Sequence, residues 1–251
     1  MRYLFTALLA LVLIGSDCQP GPPDPPTPPN PYCASAVVQP EPTAYESVVD
    51  AVAGVLATII GGEPSTDRRA TVLVILPGGY CSGTVVGKRT VLTAAHCETP
   101  TMSVRIDGQV IQASSIQPHP NYTGRYPYND LLLLHFSQDL PGPIVDTVYK
   151  AGTEGCEELI AQGWGKSETP QVDLNESRYS VIGETSMVLS TKQILPGGIC
   201  FGDSGGPLYA VVNGELQIAG VTSTTYSQDC LVGGDHVNLN YYRTWLEDNI
   251  Q

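Results

Sequence analysis

From about Ile59 to its end, the chain is cut into short β-branched runs separated by turn residues. The runs are Thr71–Leu76, Gly83–Val86, Val91–Thr93, Val104–Ile106, Leu131–Phe136, Leu208–Val212 and Leu216–Val221, with Gly, Pro and Asn between them. Short strands with that punctuation argue for an all-β sandwich or barrel. Only the tail, Tyr241–Ile250, reads as helix, with Tyr242, Trp245, Leu246 and Ile250 at apolar spacing. There is no internal repeat, no Walker-type loop, no paired CxxC and no HExxH.

The first 58 residues have a different texture. Arg2, an apolar run from Tyr3 to Ile14 and then Gly15-Ser16 read as an export signal over residues 1–16, too short to span a membrane. From Gln19 to Pro31, eight of thirteen residues are proline, which gives an extended, semi-rigid stretch that cannot form a core. Ala44 to Thr58 is more apolar and reads as a pro-segment element lying on the folded domain. The division is therefore 1–16 signal, 17–58 linker and pro-segment, and 59–251 folded domain.

The net charge is −13, from 25 acidic and 12 basic residues. Nucleic acid and anionic membrane surfaces are excluded as partners, because they require a basic face. Export places the seven cysteines in an oxidising compartment, and an odd count leaves at least one outside any intrachain pair. Cys18, just after the signal, is the candidate for a lipid anchor, which would make the protein a membrane-anchored lipoprotein. Asp17 before it departs from the small residue a lipoprotein signal carries. Without that anchor the expectation is a secreted monomer.

Three strings carry chemistry: Thr93-Ala94-Ala95-His96-Cys97, Asn129-Asp130-Leu131-Leu132 and Gly202-Asp203-Ser204-Gly205-Gly206-Pro207. A serine hydroxyl is a poor nucleophile near neutrality unless a base takes its proton. Imidazole suits that task, and a buried carboxylate fixes its tautomer. Glycines around Ser204 let backbone N–H groups approach a developing oxyanion. Alone, a histidine beside a cysteine or an aspartate before a strand is ordinarily structural, as His119 and His135 are read to be. The three strings in this order decide for catalysis. Gly202–Gly206 also satisfies G-x-S-x-G, but Pro207 and a β-branched run follow where a nucleophile elbow would open a helix.

At these strings the chain resembles the chymotrypsin/trypsin family of secreted serine endopeptidases, from Ile59 to the C-terminus. Ile59-Ile60-Gly61-Gly62 is similar to the family's mature N-terminus, His119-Pro120-Asn121-Tyr122 to a surface loop ahead of the aspartate, and Gly163-Trp164-Gly165 to a family tripeptide. The resemblance implies two six-stranded antiparallel β-barrels with a C-terminal helix and the site in the crevice between them. It implies His96 as general base, Asp130 as its orienting partner, Ser204 as nucleophile, and the N–H groups of Gly202 and Ser204 as oxyanion hole. It implies protein or peptide substrates, no cofactor and no metal.

The resemblance also implies a zymogen. Cleavage between Thr58 and Ile59 would free an ammonium that pairs with Asp203. No Lys or Arg lies between Arg2 and Arg68, so the activator is a protease accepting a small or β-branched residue, or the enzyme itself. The implied disulfides are Cys81–Cys97 and Cys200–Cys230. Cys156 lacks its family partner because Ala210 stands there, which leads to the expectation of Cys33–Cys156 as a tether for the pro-segment. The implied specificity pocket comprises Gly198, Ile199, Ser223, Thr225, Gly234 and His236. Gly198 replaces the aspartate that seats basic residues in trypsins, and Thr225 shortens the pocket as in elastases. Small or medium aliphatic P1 residues are therefore expected. His236 at the rear of the pocket raises acidic P1 as the alternative, which Thr222, in place of a second histidine, weakens. The competing function is a catalytically inactive homologue acting as a binding or regulatory module.

Overall fold

A computed structural model describes residues 62–65, 70–145, 159–165, 174–194, 197–212 and 215–251. The signal, the linker, Thr58, Ile59, Cys18, Cys33 and Cys156 lie outside them. The described chain is mostly β, in two sheets of seven strands, with one C-terminal helix. The first sheet holds β2 (Thr71–Leu76), β3 (Gly79–Gly87), β4 (Thr90–Thr93), β5 (Ser103–Ile106), β6 (Gln109–Gln112), β7 (Ser115–Pro118) and β8 (Leu132–His135). The second holds β1 (Glu63–Pro64), β9 (Leu159–Gly163), β10 (Asn175–Glu184), β11 (Val188–Gln193), β12 (Pro207–Val212), β13 (Glu215–Thr225) and β14 (Gly233–Asn238), and helix α1 covers Arg243–Asn249.

Both sheets curl, by different means. In the second, β9 pairs with β12 and also with β10, so β10-β11-β14-β13-β12-β9 closes into a ring of six strands, with β1 on its outside. The first runs β6-β5-β2-β3-β4-β8-β7 with no ladder joining its two ends. Yet β6 and β7 are separated only by Ala113 and Ser114, so the chain itself must carry one sheet edge round to the other. Ala113 N–H donates to Met102 O (3.0 Å) and Ser114 N–H to His135 O (2.7 Å), which anchors that corner to both edges. The expected two barrel-like β domains are present, one closed by hydrogen bonds and the other a half-barrel joined by a two-residue corner.

Alternation assigns residues to separate cores, as the two-residue strand period requires. On β12, Leu208 and Ala210 face the interior of the closed ring, with Leu159, Tyr179, Leu189 and Ile199. Tyr209 between them faces the core of the half-barrel, and its hydroxyl lies 3.1 Å from Thr71 Oγ1 on β2. Leu131 to Leu134 are all fully buried. The helix and the chain before it cross back to the half-barrel, where Tyr242 and Leu246 join its core and Arg89 N–H donates to the carbonyl of Gln251 (3.0 Å).

Candidate active site

His96 sits in a single 3₁₀ turn, Ala95–Cys97, at the end of β4. The disulfide Cys97–Cys81 ties that turn to β3. Asp130 immediately precedes Leu131 and β8, and its side chain is fully buried. Its Oδ1 accepts the His96 backbone N–H at 2.8 Å, and its Oδ2 lies 2.7 Å from His96 Nδ1. A carboxylate can only accept, so Nδ1 carries a proton and Nε2 is left as the basic nitrogen. Ser223, on β13, donates its hydroxyl to the same Oδ2. The two sheets therefore each supply a donor to one carboxylate. The Tyr126 ring packs against the imidazole in a T-shaped arrangement, with ring centroids 5.4 Å apart.

Ser204 lies in the turn leading into β12, and with His96 it lines a cleft of about 410 Å³. Its hydroxyl makes no hydrogen bond to His96 among the described residues; such contacts are often long before substrate binds. The turn is pinned from β3: Ser82 N–H donates to Ser204 O (2.8 Å) and Ser82 Oγ donates to Gly202 O (2.9 Å). Gly202 has φ +97°, and a Cβ there would meet the Tyr80 ring at 2.5 Å, so only glycine fits. Among the described residues the N–H groups of Gly202 and Ser204 have no acceptor in the protein, and both residues line the cleft.

Asp203 points the other way, into the protein. It is 1% exposed and accepts N–H groups from Gly165 (2.7 Å, Oδ1) and Cys200 (2.8 Å, Oδ2). Burial pushes its pKa up to about 7, against the lowering effect of those two donors. The carboxylate rests on the Gly163-Trp164-Gly165 backbone: a Cβ at Gly165 would lie 2.4 Å from either of its oxygens. That contact is the physical reason for the glycines of the tripeptide.

The residues expected to form the specificity pocket divide into two groups. Ile199, Ser223 and Thr225 line the cleft, with Phe201, Thr222 and Thr224 beside them. Gly198, Gly234 and His236 stand behind this surface. A Cβ at Gly198 would fall 1.4 Å from Cys230 O, so the backbone beside the Cys200–Cys230 disulfide closes the space there. Ile199 is 2% exposed, and its Cδ1 comes within 2.6 Å of where a Gly234 Cβ would be. His236 is not on the pocket wall at all. Its ring is fully buried, with Nδ1 3.2 Å from Thr222 Oγ1 and Nε2 3.0 Å from Thr191 Oγ1, and burial lowers its pKa to about 4. The ring is thus enclosed in the core rather than set at the rear of the pocket, where its place in the sequence put it.

Both disulfides implied for this region, Cys81–Cys97 and Cys200–Cys230, are formed. Thr58, Ile59 and the Cys33–Cys156 pairing fall outside the described residues. Ser82, Tyr80 and Tyr126 escaped the sequence reading. Nothing marks Ser82 locally except its place after a disulfide cysteine, and its task exists only because β3 abuts the Ser204 turn.

The trypsin family model matches residues 59–246. Serine protease 1 of Rattus norvegicus is 27% identical over 230 residues, covering 76% of this chain and 89% of that protein. Kallikrein-14 of Homo sapiens is 29% identical, covering 77% and 84%. Chymotrypsin-like elastase family member 1 of Rattus norvegicus is 28% identical, covering 68% and 78%. Among solved structures, neuropsin, a serine protease expressed in the limbic system of mouse brain, superposes with a TM-score of 0.63 at 24% identity, over 75% of this chain and 97% of that one, a likeness of fold.

Proposed function

The chain belongs to the trypsin family of serine proteases, and we propose that it is an exported endopeptidase, made as a zymogen, that cuts after small or aliphatic residues. His96, Asp130 and Ser204 are its triad. Ser204 Oγ attacks the scissile carbonyl while His96 Nε2 takes its proton. His96 then returns that proton to the leaving amine, and water hydrolyses the acyl-enzyme by the same route. Asp130 keeps Nδ1 protonated and stabilises the imidazolium. The unsatisfied N–H groups of Gly202 and Ser204 receive the oxyanion. The observation that carries this reading is the buried Asp130 carboxylate bound twice by His96, beside a cleft that Ser204 also lines.

Activation follows from Asp203. Burial raises the pKa of this carboxylate, which has two N–H donors and no cation among the described residues, to about 7. Cleavage at Thr58–Ile59 would supply an ammonium, hold the carboxylate ionised and brace the turn of Gly202 and Ser204. Buried Ile199 and the closed space behind Gly198 favour Ala or Val at P1, and Thr58 itself suits such a pocket. The polypeptide substrate and the activating protease, or self-cleavage, are the partners; the protein acts as a secreted monomer, with lipidation of Cys18 as the one anchored alternative. Cys33–Cys156 would keep the pro-segment attached after cleavage.

The test is a fluorophosphonate probe on the secreted protein whose N-terminus has been read. Labelling of Ser204 in the form beginning at Ile59, and weak labelling of the uncut form, is the expected result. Absence of labelling in both forms would leave the inactive-homologue reading. A peptide library separates the pocket ideas: Ala or Val at P1 should lead, and a lead for Phe, Arg or Glu overturns the shallow pocket.

A further inference from the structure

The Asp130 carboxylate is held by His96 and Ser223, but its direction is set one residue earlier. Asn129 adopts φ +57°, the left-handed region that few residues other than glycine enter. Leu131 N–H donates to Asn129 O at 2.8 Å, so the chain reverses tightly around Asp130. Were Asn129 to relax to an extended conformation, the Asp130 side chain would swing away from both bonds to His96.

Asn129 is clamped by a residue that comes 113 positions later. The Tyr242 hydroxyl accepts the Asn129 N–H at 3.0 Å and donates to Asn129 Oδ1, 3.2 Å away. Asn129 Nδ2 in turn donates to Asn121 O at 3.2 Å. Tyr242 cannot drift, because it is 2% exposed and packs edge-on to His119, with centroids 5.1 Å apart; His119 packs in the same way on Trp245 at 4.8 Å. Burial raises the pKa of Tyr242 to about 12, so the hydroxyl keeps its proton through the neutral range. The turn between β14 and α1 thereby reaches across from the second sheet and fixes the acid of the first.

We propose that Tyr242 is a positioning residue: its hydroxyl holds Asn129 in the left-handed conformation that aims the Asp130 carboxylate at His96. The inference rests on the triad reading above. It is distinct from a packing role, which the ring alone would fill.

The test uses activated full-length protein carrying Tyr242→Phe, which keeps the ring and removes the hydroxyl. The expected result is kcat lowered roughly tenfold with KM unchanged, the scale for a small misplacement of a catalytic group. The low-field proton resonance of the His96 Nδ1–H should move as well. Asn129→Gly, which keeps φ +57° open and removes the Oδ1 that Tyr242 grips, should give the same two changes, and the double variant should be no worse than either single one, because both act through one clamp. Unaltered kcat and resonance in Tyr242→Phe overturn the proposal, and so does full additivity in the double variant. If Tyr242→Phe does not fold, Asn129→Gly, which leaves the aromatic packing alone, decides by the same readouts. Fluorophosphonate labelling of the unaltered protein keeps the two ideas apart: no labelling sinks the triad, whereas labelling with an indifferent Tyr242→Phe sinks the clamp alone.

Discussion

The two aspartates of the site make opposite bargains with burial. Asp130 is fully buried and receives two N–H donors from His96 and a hydroxyl from Ser223, so folding alone completes its surroundings. Asp203 is equally buried but receives only two backbone donors, and its pKa stands near 7. The first carboxylate is finished once both sheets are in place. The second is a group whose charge is not yet matched, which is what a switch needs. The acid–base half of the site is thus set by folding, whereas the nucleophile half is the one that the proposed cleavage would complete.

The largest effect belongs to the finished half. Asp130→Asn should lower kcat by roughly 10⁴ with the fold intact, because the amide would impose the wrong imidazole tautomer; near-wild-type turnover would remove Asp130 from the triad. On activity, Asp203→Asn should tell only after cleavage, with turnover of the cut form falling by roughly 10² to 10³ as the oxyanion donors lose their brace. A cut Asp203→Asn protein of normal activity would end the switch idea.

The uncut form offers a pH version of the same test. The folded pKa of Asp203, about 7, lies above the unfolded carboxylate value of 3.8. Its contribution to stability is therefore fully present below pH 3.8 and is lost as pH rises through about 7, a change on the order of a few kcal/mol. Asp203→Asn should flatten that decline in the uncut protein, measured by denaturant unfolding between pH 4 and 8. A wild-type profile in the variant would show that the slope comes from elsewhere.

Smaller effects probe the edges of each half. Ser223→Ala removes one of three donors to Asp130 and should cost kcat roughly tenfold, whereas an unchanged rate would show His96 alone to suffice. Thr225→Gly should widen the cleft and raise kcat/KM for a leucyl P1 relative to an alanyl one by roughly tenfold. No shift in that ratio would remove Thr225 from the pocket.

Much of the first sheet could be read from residues. Thr71–Leu76 is β2 as expected, and the runs ending at Val86, Thr93 and Ile106 lie within β3, β4 and β5. The second sheet was harder. β14 is Gly-Gly-Asp-His-Val-Asn, a composition that reads as a turn, yet it is a strand because β11 and β13 pair with it on either side. β10 is polar in sequence, and only its alternating burial shows which face meets the core. His236 shows the limit most clearly: its position along the chain points to the pocket, while its side chain points into the ring interior.

Residue order alone identifies the trypsin family and the β class. The His96, Asp130 and Ser204 strings, the cysteines of the two formed disulfides, and the spacing of the β-branched runs are local in the chain and need no partner to be recognised. Which groups meet is settled by folding: Ser223 on Asp130, Ser82 on the Ser204 turn, Tyr242 on Asn129, and Cys230 behind Gly198. Those contacts join residues from 32 to 122 positions apart in the chain. A hydrogen bond or a steric stop across that distance depends on how strands register and sheets curl, and no residue type announces it in advance.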